Sequence, residues 1–328
     1  MRFSLALNVA SLSAAALLVS GCGGSEGQPS AVTVLPSAKQ LQVVGHRKSW
    51  MLREATSEDL LYAVGGCGGT CVMSYPNGKL VGTLNEPQYG IQAICSDKYG
   101  NVFLSNNTSV LEYAHGGTTP IATLQLPGDS ADGCSVDPQS GDLAIVFRTS
   151  GADVAVFPNA EGTPNLYDSH IDSLHCGFDN SGNLFVNGFN GHSPGFSELP
   201  AGTAAFNVLS IDSSVGAPGQ VQWDGTYITY ESTTKHDAKL SQLAVDGSSA
   251  TVVGTTKLEA IRNGAIPSWI YGTKVVLPFV NRAPRAKKIG VWKYPAGGSP
   301  TKIYKKFGPY KDTLDFQGVT VSVATNKR

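Results

Sequence analysis

Charged side chains are scarce in this sequence of 328 residues. Asp, Glu, Lys and Arg make up 15% of it, against about 25% in an average soluble protein, which excludes coiled coils and long solvated helices as the main architecture. Glycine and proline together reach about 17%, above the usual value of about 12%. The hydrophobic content of 41% is too high for a disordered chain. These proportions indicate a folded, turn-rich protein.

Catalytic motifs in their usual local context are also missing. No G-x-S-x-G, H-E-x-x-H, Walker or G-x-G-x-x-G motif occurs in a strand-to-helix context. The near balance of 24 basic and 25 acidic residues gives no sign of nucleic-acid binding. We expect no nucleic-acid partner, and we expect the protein to be a monomer.

The first residues have the features of a secretory signal. Residues 1–21 begin with the basic Arg2, continue through a mostly apolar stretch and contain no acidic residue. Leu18–Cys22 resembles the bacterial lipobox, in which cleavage exposes a cysteine for acylation; the alternative is an ordinary cleaved signal with a chance cysteine. Acylated Cys22 would hold the protein on a membrane of the cell envelope, facing the periplasm or the exterior. Residues 22–40 would form a flexible tether.

The remaining cysteines suggest one local disulfide. Without Cys22 the chain has five cysteines, an odd number in a compartment that permits disulfides, so one thiol stays single or pairs between molecules. Cys67 and Cys71 lie in GGCGGTC, where the glycines let the backbone turn tightly enough to close a small bridge. We predict this disulfide. A metal site would need further His or Cys close in sequence, and none is there.

A turn followed by an alternating strand recurs along the sequence. Each copy has an Asp that can accept hydrogen bonds within its own turn, a Gly that accepts positive φ, and then apolar residues at every second position. Clear copies start at Asp97, Asp137 and Asp179, and weaker ones at Trp223 and Tyr271. Their glycines are spaced by 41, 41, 43 and 47 residues, which is typical of propeller or solenoid repeats.

A second turn element follows each pair of strands and occurs six times. It comprises an aromatic or aliphatic residue that ends a third strand, a turn, and an outer fourth strand. Six such elements predict six four-stranded units. Its copies are Tyr75–Gly78, Tyr113–Gly116, Phe157–Ala160, Leu199–Gly202, Val245–Gly247 and Tyr294–Gly297.

The two ends of the repeat region complement each other. Leu60–Val64 has the pattern of a second strand with no first strand before it, whereas Gly318–Val323 is a surplus first strand at the end of the chain. Pairing the two would close a ring and remove its open edges. We therefore predict an all-β fold over residues 41–325: a six-bladed β-propeller with four-stranded antiparallel blades, closed by the C-terminal strand.

Three further cysteines share nearly the same place in successive inner strands. Cys95, Cys134 and Cys176 each lie two or three residues before a repeat Asp. We expect them to line the packed interior as small hydrophobic residues. The alternative is a bridge between neighbouring blades.

The repeat form D-x-x-G-N-[LV]-[FY]-[VL], with its tyrosine-turn-glycine element, resembles NHL-type and gluconolactonase-like propellers. With the lipobox, the chain resembles uncharacterised bacterial lipoproteins of that group. Only four tryptophans are present, so tryptophan-aspartate, YWTD and quinoprotein propeller patterns match poorly. The gluconolactonase-like resemblance implies a divalent metal held by Glu, Asn and Asp in a central channel. Those positions cannot be assigned residue by residue, so the activity is not transferred to this chain.

Polar residues in the loops at one mouth of the predicted channel are candidate binding residues. Carboxylate and amide oxygens suit Ca²⁺, which takes six to eight oxygen ligands, and a histidine near the axis could act as a general base. The simpler interpretation is structural, because Asp and Asn favour turns for backbone reasons. The candidates are Tyr89, Asp129, Asp132, His170, Asp172, His175, Asn187 and His192, with Arg148, Glu231, His236 and Arg282 in the same loops.

The near-neutral total charge conceals a strong segregation. Residues 85–234 contain 16 acidic residues and only two basic ones, whereas residues 260–311 contain eleven basic residues and no acidic one. On a ring this places a basic last blade against acidic middle blades, which could steer an anionic partner such as lipid headgroups or an acidic glycan. The alternative is a solvated face. The basic patch comprises Arg282, Arg285, Lys287, Lys288, Lys305 and Lys306.

Two functions of different classes follow. The first is a membrane-anchored extracytoplasmic propeller that binds a protein, a glycan or an envelope component. The second is a metal-dependent extracytoplasmic hydrolase or lyase of the lactonase kind. We favour the first, because the sequence contains a framework without a recognisable catalytic constellation.

Overall fold

The described part of the protein is built from short β-strands. The structure is a computed structural model, and it describes residues 48–85, 93–128, 130–147, 151–211, 215–233, 237–261, 267–279, 285–310 and 314–325. Within these ranges the regular elements are strands and three short 3₁₀ helices, which confirms the all-β class. The 3₁₀ helices are Arg53–Ser57, Pro158–Ala160 and Gly308–Tyr310.

The first sheet joins the two ends of the described chain. Its order is β1-β4-β3-β2-β26. The C-terminal strand pairs antiparallel with β2, from Leu60 opposite Ser322 to Val64 opposite Gly318. The two-residue β1 adds an outer fifth strand that the repeat pattern did not predict. The strands are β1 (Trp50–Met51), β2 (Leu60–Gly66), β3 (Gly69–Ser74), β4 (Leu80–Leu84) and β26 (Gly318–Ser322).

The next three sheets each contain four antiparallel strands in sequence order, as predicted. The second sheet comprises β5 (Ala93–Ser96), β6 (Val102–Ser105), β7 (Ser109–Tyr113) and β8 (Ala122–Gln125). The third sheet comprises β9 (Ala131–Val136), β10 (Leu143–Phe147), β11 (Val154–Phe157) and β12 (Asn165–Tyr167). The fourth sheet comprises β13 (Asp172–Phe178), β14 (Leu184–Asn190), β15 (Ser193–Leu199) and β16 (Asn207–Val208).

The last sheet has nine strands in two antiparallel groups of four. One residue pair, Leu258 with Gly298, links the groups, and β17 pairs in parallel with β21. The short strand is β17 (Ser210–Ile211). The first group comprises β18 (Ala217–Trp223), β19 (Ile228–Thr233), β20 (Ala238–Asp246) and β21 (Ser249–Leu258). The second group comprises β22 (Trp269–Tyr271), β23 (Lys274–Phe279), β24 (Lys288–Lys293) and β25 (Gly297–Tyr304).

The repeat aspartates stabilise the turns between the first and second strands. Asp179 Oδ1 accepts hydrogen bonds from the amides of Ser181 at 2.7 Å and Asn183 at 3.0 Å. Asp97 makes the equivalent bonds in the second sheet. The glycine of each of these turns has positive φ, such as 82° at Gly182, a conformation that costs glycine little. The predicted turn chemistry is therefore confirmed in these repeats.

The core consists of apolar layers between successive sheets. Because side chains alternate between the faces of a strand, β10 contributes to two layers. Ile145 packs with Phe103 of the second sheet, whereas Val146 packs with Val186 of the fourth. All five residues of β10 are buried. This explains why the second strands have nearly continuous apolar sequences, as expected for strands covered on both faces.

Two disulfides are present among the described cysteines. Cys67 and Cys71 are bonded, as predicted, with their Cα atoms 5.2 Å apart. Cys95 is bonded to Cys134 of the next sheet, so the expectation of unbridged cysteines was wrong for this pair. Their Cα atoms are 5.8 Å apart, a distance that permits a disulfide. Cys176 is a free, fully buried thiol, as expected of a small hydrophobic residue, and burial raises its pKa.

Polar side chains connect neighbouring first strands. Ser96 Oγ donates to the carbonyl of Val321 at 2.9 Å, and the amide of Phe178 donates to Ser135 Oγ at 3.1 Å. Gln222 makes two bonds to the backbone of Ile270, at 2.9 and 2.7 Å. Such bonds satisfy polar groups at the seams where two sheets meet.

Candidate functional site

A cleft of about 870 Å³ opens between the third and fourth sheets. It lies at the end where β10 finishes and β13 begins. The predicted residues His170 and Asp172 line it, together with Phe147, Asp153 and Phe189. The structure therefore brings together two of the predicted residues and adds an acidic group and two aromatic rings. A concave site with an apolar wall and a few polar groups is the usual form of a ligand site.

The loop before β13 is fixed by a buried carboxylate. Asp153 Oδ1 accepts a hydrogen bond from the amide of Ser169 at 2.8 Å, and Oδ2 accepts one from Ser169 Oγ at 2.6 Å. His170 follows with a φ of 62°, in the left-handed region that a non-glycine residue seldom occupies. Asp168 Oδ1 accepts the His170 amide at 2.8 Å and lies 3.4 Å from Nδ1. The loop thereby holds His170 at the opening of the cleft.

The carboxylates of the cleft differ in burial and in hydrogen bonding. Asp153 is buried, and both of its oxygens already accept hydrogen bonds from Ser169. Asp172 is exposed, and none of the described residues donates a hydrogen bond to its carboxylate. Asp168, which also lines the cleft, has one oxygen engaged by the His170 amide. Asp172 is therefore the cleft acid with both oxygens open to a ligand, while Asp153 shapes the wall. A basic group or a hydroxyl would complement it, since charge-assisted hydrogen bonds are the stronger kind.

A pair of polar side chains, Asn187 and Glu231, is buried between the fourth sheet and β18–β19. Asn187 Nδ2 donates to the carbonyl of Gly219 at 2.8 Å, and Glu231 packs against the Cα side of the same glycine. Glu231 Oε2 accepts amide bonds from Ser268 at 2.9 Å and Gln220 at 3.3 Å. Burial raises the pKa of the Glu231 carboxyl to about 7, against the lowering effect of these hydrogen bonds. Asn187 Oδ1 and Glu231 Oε1 lack hydrogen-bond partners among the described residues.

This buried pair also corrects the sequence-based placement of two residues. The sequence pattern predicts Asn187 and Glu231 in loops at the mouth; this is wrong, because they lie inside β14 and β19. The exposed fraction is 0% for Asn187 and 1% for Glu231. Register shifts in the neighbouring strands, between Ser173 and His175 and between Pro218 and Val221, accompany these positions. Bulges of this kind re-aim side chains in a way that period-two alternation does not anticipate.

The same residues offer little to a metal ion. Among the residues that the structure describes, no group of three His, Cys, Asp or Glu side chains could hold a metal ion. Asn187 and Glu231 supply few of the six to eight oxygens that Ca²⁺ requires. Asp132 lies on β9 and His175 is half-buried on β13, while His192 is exposed in the β14–β15 turn. These three predicted residues do not line the cleft.

Several predicted residues lie outside the described part of the chain. Cys22 belongs to this group, so the lipid anchor stays a prediction. In the described ranges no helix has the length and apolar character needed to cross a membrane. The others are Tyr89, Asp129, Arg148, His236 and Arg282.

The described members of the basic patch meet at one end of the last strands. Lys288 begins β24, and its neighbour Ile289 pairs with Tyr304, the last residue of β25. Lys305 and Lys306 follow directly and are exposed, and Lys287 precedes β24. Arg285 Nε lies 3.8 Å from the Asp315 carboxylate. Like the cleft, the patch lies where second strands end and third strands begin.

Comparisons with known proteins identify the fold and no more. The chain matches no family model and no curated protein. A solved structure of a nidogen/laminin complex has a chain with a TM-score of 0.61 and 12% identity, covering 82% of this chain and 100% of that chain. A protein of unknown function from Bacteroides caccae has a TM-score of 0.61 and 11% identity, with coverages of 81% and 99%.

The chain has a β-propeller fold. The likeness extends over nearly the whole of both matched chains, and the sheets have the antiparallel strand order of propeller blades. At 11% and 12% identity the comparison says nothing about activity. The features of this chain that bear on function are the cleft, the buried polar pair and the basic patch.

Proposed function

We propose that the protein is a membrane-anchored extracytoplasmic β-propeller that binds a protein, a glycan or an envelope component. The observation that carries the proposal is the cleft between the third and fourth sheets. There Asp172, whose carboxylate accepts no hydrogen bond from a described residue, lines a cleft of about 870 Å³ beside two aromatic rings. The matched chain comes from a nidogen/laminin complex. It is a precedent for a propeller of this shape taking part in a complex.

The proposal includes six blades of NHL-like form in a closed ring. In favour of six, the nine-stranded sheet divides into two groups of four that share one residue pair. In favour of closure, the first strands contact one another in the order β26, β5, β9, β13, β18, β22, and β22 contacts β26. The pairing of β26 with β2 then completes the first blade.

Site-specific photo-crosslinking in cells would test the binding role. A photoreactive amino acid at His170, which is exposed at the cleft, should give crosslinked products of defined mass. The same amino acid at Asn77, exposed in the turn between β3 and β4 and away from both cavities, is the matched control. Products that also require Asp172 support the cleft as the site. Equal crosslinking at both positions, or none at His170, would refute it.

The membrane anchor rests on the lipobox resemblance at Cys22. Metabolic labelling with a fatty-acid analogue should mark the full-length wild type, and the Cys22→Ala variant should not be labelled. Equal labelling of the two proteins would remove the anchor. The accompanying location is the cell envelope, with the propeller facing the periplasm or the exterior.

The basic patch supports contact with an anionic surface. Lys287, Lys288, Lys305 and Lys306 gather at one end of the last strands. Protein lacking the lipid should bind phosphatidylglycerol vesicles, less so at high salt because salt screens exposed charges. Replacing Lys287 and Lys288 by Gln should weaken the binding, while Lys79→Gln, exposed in the turn between β3 and β4 at the opposite end of the strands, should not. Binding that ignores both salt and the lysines would contradict this role.

The second candidate function is a metal-dependent hydrolase or lyase of the lactonase kind. It is favoured by the buried oxygens of Asn187 and Glu231 around Gly219, which lack hydrogen-bond partners among the described residues. Elemental analysis of the purified protein and a panel of lactones and esters would test it. A stoichiometric divalent ion, with turnover lost on chelation and in Glu231→Gln, would replace the first proposal by this one.

A further inference from the structure

A second cavity opens at the opposite end of the strands from the cleft. It has a volume of about 540 Å³ and lies between the fourth sheet and β18–β21. Asp172, at the start of β13, lines the cleft, whereas Asp179, just after the end of β13, lines the second cavity. The two sites are therefore separate, and a ligand of one would not obstruct the other.

One wall of the second cavity is aromatic. Trp223 ends β18, and Tyr227 follows it in the turn before β19. Both rings are half-buried, and the buried ring of Phe185 lines the cavity as well. Within the described residues, the indole nitrogen of Trp223 and the hydroxyl of Tyr227 have no hydrogen-bond partner. Rings of this kind present an apolar face with a polar edge.

The other wall carries polar groups with spare hydrogen-bonding capacity. Glu198 lies on β15 and Asn207 on β16, and neither side chain is hydrogen-bonded to another described residue. Burial, together with the charge of Asp179, raises the pKa of the Glu198 carboxyl. The carboxyl oxygens can accept hydrogen bonds from a ligand, and an amide such as Asn207 can both donate and accept them.

The carboxylate of Asp179 is occupied by its own turn. Its two oxygens accept bonds from the amides of Ser181 and Asn183 and from Asn183 Nδ2. This leaves Glu198 as the free acid of the cavity. Two neighbouring acids repel an anion, and the three hydrogen bonds that Asp179 already accepts leave it little to offer a cation. The chemistry therefore favours a neutral, hydroxyl-rich ligand.

We propose that this cavity binds a neutral oligosaccharide. The apolar face of a sugar ring would pack on Trp223 and Tyr227, and its hydroxyls would pair with Glu198 and Asn207. Sugar hydroxyls can donate to the carboxyl oxygens of Glu198 and can both donate to and accept from the amide of Asn207. The site lies away from the cleft of the proposed function and does not depend on it.

Titration of the full-length protein with neutral tetrasaccharides would test the proposal. Chitotetraose, cellotetraose and maltotetraose are suitable probes, with tryptophan fluorescence and calorimetry as readouts. At least one should bind saturably, with a Kd of about 1 mM or tighter. The Tyr227→Phe variant keeps the ring and removes the hydroxyl, so it should bind several-fold more weakly. Trp223→Ala should weaken binding by about tenfold or more.

The second sheet provides a matched control. Glu112 on β7 is opposite Phe103, as Glu198 is opposite Phe185, and its pKa is also raised by burial and by neighbouring acids. Glu198→Gln should alter sugar binding and Glu112→Gln should not. Asp172→Asn, in the cleft, should leave sugar binding unchanged, which separates this proposal from the proposed function. The proposal would be overturned if no sugar bound saturably, or if Tyr227→Phe and Trp223→Ala left the binding unchanged. Tighter binding of choline than of the sugars would also overturn it, because the aromatic wall would then serve a cation.

Discussion

Glu231 makes the stability of the protein depend on pH in a defined direction. Burial holds the pKa of this carboxyl at about 7, compared with 4.5 for a free side chain. The folded protein therefore binds the proton more tightly than the unfolded chain does. The free energy of unfolding should fall as pH rises from about 4.5 to about 7, because the folded state must then carry a buried charge. The difference in pKa corresponds to about 3 kcal/mol.

The Glu231→Gln variant isolates this contribution. A glutamine keeps an oxygen for the amides of Ser268 and Gln220 and carries no charge. At pH 8 the variant should be more stable than the wild type by about 1–3 kcal/mol. At pH 5 the difference should be small, since the wild-type carboxyl is then mostly protonated when folded. Urea unfolding at both pH values, followed by tryptophan fluorescence, measures the two differences.

An exposed carboxyl provides the control for Glu231. Glu54→Gln, on the surface of the first 3₁₀ helix, should change the unfolding free energy by less than about 0.5 kcal/mol at both pH values. If the wild type and Glu231→Gln showed the same change between pH 5 and pH 8, the burial argument would be refuted. A wild type that loses stability at pH 8 on chelation would instead indicate a cation at Glu231.

Two further predictions concern covalent and polar links between the sheets. The Cys95–Cys134 bridge spans 39 residues and the Cys67–Cys71 bridge spans 4, so chain entropy assigns them about 4 and about 2 kcal/mol. Double alanine variants of each pair should differ by about 2 kcal/mol in urea unfolding, and a larger loss for the short bridge would contradict the model. Tyr294 Oη donates to Asp224 Oδ2 at 2.6 Å; burial alone would raise the pKa of Asp224, but this and other hydrogen bonds lower it overall. Tyr294→Phe should therefore cost about 1 kcal/mol at pH 7. The cost should shrink as the pH falls through the lowered pKa of Asp224, because the folded protein then loses the charged acceptor. A cost that stays the same down to the acid end of the titration would show that the hydrogen bond to the carboxylate is unimportant.

The turns and sheets could be predicted because their signals are local. An Asp followed by a positive-φ Gly and alternating apolar residues specifies a hairpin within a few residues, and the Asp179 turn is built that way. The pairing of β2 (Leu60–Gly66) with β26 could be predicted because the first repeat unit lacks a first strand and the end of the repeat region has a surplus one. The Cys95–Cys134 bridge did not follow, because three cysteines occupy equivalent positions and the sequence does not say which two approach. Local signals therefore predict elements better than they predict contacts between them.

The candidate sites were predicted less completely. His170 and Asp172 were found because polar residues cluster in their loop, but Asp153 and Phe147 come from another sheet and have no motif. Asn187 and Glu231 have strand positions that depend on register shifts. The second cavity combines Trp223 with Glu198, from different sheets. Sites of this kind depend on how sheets pack, and one sequence contains little information about that.

The pairing of β26 with β2 has a consequence for the order of folding. Leu60 and Ser322 are strand partners although most of the chain lies between them in sequence. The amide of Ala324 also donates to Asp59 Oδ1 at 3.0 Å. The first sheet therefore cannot be completed until the chain has been synthesised as far as β26. Contacts between such distant residues carry a large loop-closure cost and form slowly. An incomplete chain would present the unpaired edge of β2, so a truncation before Gly318 should make the protein prone to aggregation rather than merely shorter.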